Sequence, residues 1–199
     1  MNNLTTFPTC ILAGGKSERM GFPKAKLSKN GIPILRAMVE ALIEAGYYPV
    51  GVVIGEKALE KWVAQEVPDV DRIFNQTPEL GAISSLRLAI KAMENSASGL
   101  LSWPVDHPLI AVETLKQMKL LATATNIVIP TFDGRRGHPT WWGRGSWEML
   151  MSEAANNGAN RILKLLENIV IEVPVNDPGV LVNIDTPEVA ARHGLAEGV

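Results

Sequence analysis

The amino-acid sequence predicts one α/β domain, a three-layer arrangement of a mostly parallel sheet, mixed at one edge, with helices on both faces. Three observations carry this expectation. Short β-branched runs alternate with amphipathic helical patterns along the whole chain, the signature of βαβ units. The length of 199 residues suffices for one domain and not for two of ordinary size, so the unit spans 1–199. With 46% hydrophobic and 20% charged residues, the composition can fill a core, and no repeat, low-complexity tract or linker interrupts it.

Each element has a local reason. Pro8 to Ala13 is an apolar strand that stops at the Gly14-Gly15 turn. Ile34, Leu35, Met38, Val39, Leu42 and Ile43 recur at helical spacing, which predicts a helix over 33–45 that Gly46 ends. A strand over 50–54, a helix over 56–66 and a strand over 70–74 follow. Ile83, Leu86, Ile90 and Met93 share a face of a helix over 84–93. Leu100 to Val105 is a buried-type strand ending at Asp106-His107-Pro108. Next come a helix over 112–121, a strand over 127–130 and, through Asp133-Gly134, a hairpin turn over 131–140 that mixes the sheet. The remaining expectations are a helix over 161–166, strands over 169–173 and 180–184, and a last helix with Pro187 at its first position, capped by Asp185 or Thr186.

Charge and cysteine usage bound the function. Nineteen Lys and Arg against 21 Asp and Glu give a net charge of −2, which offers nucleic acid or anionic lipid no bulk attraction. Any phosphate must be met locally. The single Cys10 forms no intramolecular disulfide and suits a reducing compartment. Apolar runs reach about eight residues against the roughly 20 of a membrane helix. The N-terminal residues lack the basic and apolar regions of a signal peptide, so a cytoplasmic location is expected. Asn3-Leu4-Thr5 and Asn75-Gln76-Thr77 are then chance matches to a glycosylation signal.

Chemistry concentrates in Leu12-Ala13-Gly14-Gly15-Lys16-Ser17-Glu18-Arg19-Met20-Gly21-Phe22-Pro23-Lys24. A strand that ends on two glycines exposes backbone N–H groups unobstructed by Cβ atoms, a cradle for phosphate oxygens, and Arg19 and Lys24 add two cations to the same loop. Gly15-Lys16-Ser17 does not complete a P-loop, because Cys10 stands where that motif needs its first glycine. Asp106 closes an apolar strand, at the sheet end where open α/β folds bind ligands. Asp185 follows another apolar run.

The pattern Leu-Ala-Gly-Gly-x-Ser-x-Arg-Met-Gly-x-x-Lys resembles the N-terminal signature of the MobA-like NTP transferases, the molybdenum cofactor cytidylyl- and guanylyltransferases. Three further landmarks extend the resemblance over nearly the whole chain: Asn75 to Leu86, Pro104 to Pro108, and Asn183-Ile184-Asp185-Thr186-Pro187-Glu188. It implies a Rossmann-like sheet of the nucleotide-diphospho-sugar-transferase type and transfer of NMP from an NTP to the phosphate of a molybdopterin-type cofactor, releasing pyrophosphate. By the same resemblance Lys24, Arg19 and Asp106 are catalytic, and Leu12, Ala13, Gly14, Gly15, Arg19, Lys24, Gly81 and Ser84 hold the nucleotide. Asp106 and Asp185 hold Mg²⁺. Arg136-Gly137-His138-Pro139 resembles the cytidylyl branch, where Arg136 or His138 would meet the acceptor's phosphate; a plain hairpin turn is the alternative. Val105, His107 and Asn183 depart from the family's usual residues, which leaves the role of Asn183 open.

The landmarks divide on the base. Leu-Ala-Gly-Gly looks like the guanylyl version, whereas Gly-His-Pro and Asn-Ile-Asp-Thr-Pro-Glu look like the cytidylyl one, with CTP slightly favoured over GTP. Trp141, Trp142 and Trp147 either stack on a flat acceptor or belong to the core. A sugar-phosphate nucleotidyltransferase is the competing enzyme, for which 199 residues leave little room for extra domains. A non-catalytic nucleotide-binding module is the other alternative, and the retained Lys24 and carboxylates speak against it. Neither nucleic acid nor membrane is an expected partner, and a monomer or small homo-oligomer is.

Overall fold

In the computed structural model, which describes residues 6–94 and 97–198, strand β1 (Thr9–Ala13) lies in the middle of the main sheet. The Asn3-Leu4-Thr5 match lies outside the described residues, and Asn75 of the second match is fully buried.

In chain order, β2 (Leu27–Lys29) and β3 (Ile32–Pro33) lead into α1 (Ile34–Glu44), followed by β4 (Val50–Ile54), α2 (Lys57–Glu66), β5 (Asp71–Phe74) and α3 (Ala82–Met93). Then come β6 (Gly99–Pro104), α4 (Val112–Leu121), β7 (Ile127–Phe132), β8 (Arg135–Arg136) and β9 (Thr140–Gly143). α5 (Trp147–Met151), α6 (Ala159–Leu165), β10 (Val170–Pro174), α7 (Pro187–Arg192) and β11 (Ala196–Glu197) complete the chain. The main sheet runs β10-β7-β9-β6-β1-β4-β5, with β8 folded back on β7. β9 is antiparallel to both neighbours and the other long pairings are parallel. A small sheet, β11-β2-β3, ties the C-terminus to the segment after the glycine turn.

Strand alternation builds two cores, one on each face of the sheet. Cys10, Leu100 and Trp142 point to one face with Leu86 and Ile90 of α3; their chain neighbours Ile11, Leu101 and Trp141 point to the other with Leu35 and Met38 of α1 and Leu115 of α4. A continuous apolar strand is the sequence consequence of burial on both faces. Helix α1 ends where Lys119 donates to the carbonyls of Ala45 and Gly46, with its ammonium 4.8 Å from the Phe7 ring centroid.

One expectation needs correction. Residues 180–184 form no strand: a short 3₁₀ turn, Pro178–Leu181, passes into unladdered chain. The Asp177 carboxylate accepts from the amides of Ala111 and Gly179 and from the Thr114 hydroxyl, which holds that turn, and single backbone bonds anchor the rest. His138 N donates to Val180 O at 2.9 Å and Ile184 N to Asp106 O at 2.7 Å. Val180 and Ile184 are fully buried, so the apolar run reflects burial rather than a ladder. Of the two alternatives for the tryptophans, the core is the one observed. Trp141, Trp142 and Trp147 are buried, and each indole N–H finds a protein acceptor: Thr123 O, Ser102 Oγ and Trp142 O.

Candidate active site

The loop after β1 is held by its own residues. Ser17 O accepts from the amides of Met20 and Gly21, and Ser17 Oγ accepts from Lys24 N at 3.1 Å. Met20 next to Arg19 and Ala25 next to Lys24 are buried, so each cation is carried by an anchored stretch of chain. Close approach explains the first glycine: a Cβ on Gly14 would lie 2.6 Å from Ser85 Oγ, and one on Gly55 would lie 2.1 Å from Gly14 O. Gly15 has open space about it and faces the cleft.

On the other side, Asn75 organises the approach to α3. Its Nδ2 donates to Ser84 Oγ at 2.8 Å and Ser85 Oγ at 3.0 Å, while its Oδ1 accepts from Thr77 N. Gly81, at φ +79°, starts α3 with no side-chain cap among the described residues, and it lines the cleft with Ala82 and Ser85 of the first turn. Ser84 donates to Gly81 O at 2.7 Å, which makes it a brace of this loop; Ser85 instead lines the cleft. Ser85 and Asn75 are the residues that sequence reasoning underweighted. Their signal was an Asn followed two residues later by Thr and ten later by Ser.

Between these walls lies a cleft of ≈ 400 Å³ lined by Leu12, Gly14, Gly15, Arg19, Lys24, Gly81, Asp106 and Asp185, among others. Asp185 and Lys24 are bonded directly, Arg19 Nη2 lies 2.8 Å from Asp185 Oδ2, and Lys24 Nζ lies 3.8 Å from Asp106 Oδ2. Burial acts to raise the Asp185 carboxyl, but the Lys24 hydrogen bond and the charges of Lys24 and Arg19 outweigh it and hold the group below the usual carboxylate range. Thr186, not Asp185, caps α7, its Oγ1 accepting from Val189 N, which leaves Asp185 to face the cleft. Asn183 is exposed and does not line the cleft. Ala13 is buried just beneath the turn.

Two carboxylates within reach of one ammonium are close enough to share one cation. Among the described residues no cluster of three or more His, Cys, Asp or Glu side chains holds a metal by itself. Two hard oxygen donors with room for phosphate and water suit a divalent cation such as Mg²⁺ and not a thiolate- or imidazole-seeking one.

His107 and His138 face each other, ring centroids 4.3 Å apart, and neither buried Nδ1 has a hydrogen-bond partner among the described residues. Burial, reinforced by the adjacent His107, pushes His138 down to about 4. Burial lowers His107 too, with Asp106 and Asp185 opposing. Arg136 is engaged elsewhere. Its Nε lies 2.7 Å from Glu172 Oε1 and its Nη1 3.1 Å from Glu167 Oε2, with a second bond to Glu167 from Nη2.

A doubly wound sheet whose first strand ends in a cation-bearing glycine loop, opposite one carboxylate that follows β6 and another that precedes α7, defines an α/β nucleotide-handling domain. The chain belongs to the MobA-like NTP transferase family, whose domain model matches residues 9–170, and is thereby a nucleotidyltransferase. It is 30% identical over 186 residues to a molybdenum cofactor guanylyltransferase of Xanthomonas euvesicatoria, covering 92% of this chain and 91% of that protein. It is also 33% identical over 141 residues to the bifunctional protein GlmU of Azorhizobium caulinodans, of whose length the match spans 30%. The crystal structure of Rv0371c from Mycobacterium tuberculosis superposes with a TM-score of 0.80 at 27% identity over 94% of this chain and 96% of that one. No helix among the described residues is long and apolar enough to cross a membrane.

Proposed function

We propose that the protein transfers GMP from GTP to the phosphate of a molybdopterin-type acceptor in the cytoplasm, with release of pyrophosphate. The observation that carries this reading is the convergence of Lys24, Arg19, Asp106 and Asp185 at one glycine-lined strand end. An oxygen of the acceptor's phosphate monoester attacks the α-phosphorus of the nucleotide; the bond to the β-phosphate bridging oxygen breaks and pyrophosphate leaves. Such a transfer asks for alignment and charge neutralisation rather than a covalent intermediate.

The backbone of Gly14 and Gly15, with Arg19, holds the β and γ phosphates. Lys24, freed from its carboxylates, meets the α-phosphate as negative charge builds there. Ser85 and the first-turn amides of α3 orient the nucleoside side. Asp106 and Asp185 hold the divalent cation, for which we favour Mg²⁺ and which supplies charge neutralisation at the phosphates when bound. A manganese complex of Rv0371c, 25% identical with a TM-score of 0.76, supports divalent cation use.

GTP is placed ahead of CTP because the curated relatives of the molybdenum cofactor class that match this chain are guanylyltransferases. Leu12-Ala13-Gly14-Gly15 agrees. The Gly137-His138-Pro139 turn keeps CTP as the competing donor. A sugar phosphate is the competing acceptor, supported by the GlmU likeness. Pyrophosphate release with each of the four NTPs and either purified molybdopterin or a sugar phosphate as acceptor, with Mg²⁺, tests the reading: fastest turnover with GTP and molybdopterin is expected, and turnover only with a sugar phosphate overturns it.

A further inference from the structure

Leu12, Ala82 and Pro104 line both the nucleotide cleft and a second recess of ≈ 510 Å³. An acceptor whose phosphate attacks in the cleft must place that phosphate at this shared mouth and its body in the recess. The recess has apolar walls, including Leu86, Ile129 and Leu163, and a polar rim drawn from the β8 turn and from α6.

The rim residues differ in what they have to offer. Arg136 already pairs with two carboxylates, Glu167 and Glu172, which occupy its guanidinium and leave it little to offer an anion. His138 is neutral at physiological pH. Lys164, on α6, is exposed and makes no ion pair among the described residues. Asn160, four residues earlier and on the same helix face, lines the same recess and has no hydrogen-bond partner among the described residues. One cation and one amide are thus available together, beyond the mouth that the cleft shares.

We infer that Lys164 and Asn160, and not Arg136, recognise the body of the acceptor, through an anionic, hydrogen-bond-accepting group that it carries apart from its phosphate. The inference rests on the acceptor reading above. Lys164 supplies the counter-charge and Asn160 the fixed hydrogen bond that sets orientation. Both residues act on the acceptor and neither touches the nucleotide.

Steady-state pyrophosphate release, with purified molybdopterin as the varied acceptor and GTP saturating, tests this. Lys164→Ala is expected to raise the acceptor KM roughly tenfold or more, the loss of one charge-assisted hydrogen bond. The calorimetric Kd for GTP stays within about twofold, as for a surface substitution away from that site. Lys164→Arg restores most of the acceptor KM. Arg136→Ala moves the acceptor KM by less than Lys164→Ala does. An unchanged acceptor KM in Lys164→Ala, or a larger change in Arg136→Ala, overturns the inference while wild-type turnover keeps the acceptor reading. Absence of wild-type turnover on molybdopterin with any NTP overturns both.

Discussion

Replacing Lys24 by Ala removes the cation that stands against both carboxylates of the cleft. Lys24 Nζ touches Asp185 and lies 3.8 Å from Asp106 Oδ2, with 13% of its side chain exposed against 24% and 28% for the two aspartates. A pair of unit charges about 4 Å apart is worth ~1 kcal/mol in water and ~4 kcal/mol at an effective dielectric constant of ~20. This half-open site lies between those limits. A divalent cation that binds the free enzyme must displace the ammonium, so Lys24 opposes metal binding until a polyphosphate arrives to receive it. Deleting it therefore tightens metal binding to the nucleotide-free protein by ~1.5–2 kcal/mol, which is about ten- to thirtyfold in Kd. The same change abolishes most of the turnover, because the α-phosphate loses its cation. Titration of Mn²⁺ into nucleotide-free wild-type and Lys24→Ala protein, followed by electron paramagnetic resonance or calorimetry, measures the first effect. A variant that binds Mn²⁺ as weakly as the wild type, or more weakly, refutes the reasoning that lysine and metal compete for Asp106 and Asp185.

Four further outcomes follow from the geometry. Asp106→Asn should lose divalent-dependent pyrophosphate release by at least about a hundredfold, while circular dichroism and melting temperature stay near wild type. Gly55→Ala places a Cβ against Gly14 O, where 2.1 Å is available, so the loop shifts and GTP affinity by calorimetry falls several-fold; unaltered affinity would show that the glycine turn has slack. Trp103 is fully buried and donates to His107 O at 2.8 Å. Its replacement by Ala is expected to cost ~3–5 kcal/mol in urea unfolding. His138 is held near 4 in the fold and returns to about 6.5 when unfolded. Its contribution is fully present above pH 6.5 and declines as the pH falls toward 4, by up to ~3 kcal/mol. His138→Gln should flatten that part of the stability profile, and an unchanged slope between those limits would exclude His138 as its source.

The elements that followed a clean period were legible. Helix α1 begins one residue after its expected start and ends one before its expected stop, and β4 is placed residue for residue, because a single burial face or a fully buried run leaves its pattern in the chain. The short elements were not legible. β2 and β3, of three and two residues, pair with each other across the Asn30-Gly31 turn and are too short to leave a period, and β11, of two residues, exists because the C-terminus returns to pair with β2. The 180–184 run misled for a related reason. Burial makes a segment apolar whether or not a neighbour completes its ladder, and here the neighbours are the Asp106 and His138 backbones.

For the site, the sequence by itself determined which chemistry was present: a glycine turn on a buried strand, two cations a few residues beyond it, and two carboxylates, each following an apolar run. Local spacing and residue type suffice for that, since Gly14 to Lys24 form one anchored loop. Only the tertiary structure decided which groups meet. It bonded Lys24 and Arg19 to Asp185 and assigned the helix cap to Thr186. It turned Ser84 into a brace, placed Ser85 on the cleft, and surrounded Arg136 with Glu167 and Glu172. Each of these outcomes depends on contacts between residues brought together by the crossing order of the strands or by the twist of a helix turn. Charge and hydrogen-bonding capacity are properties of a residue, but availability to a ligand is fixed by what else lies within about 4 Å of it.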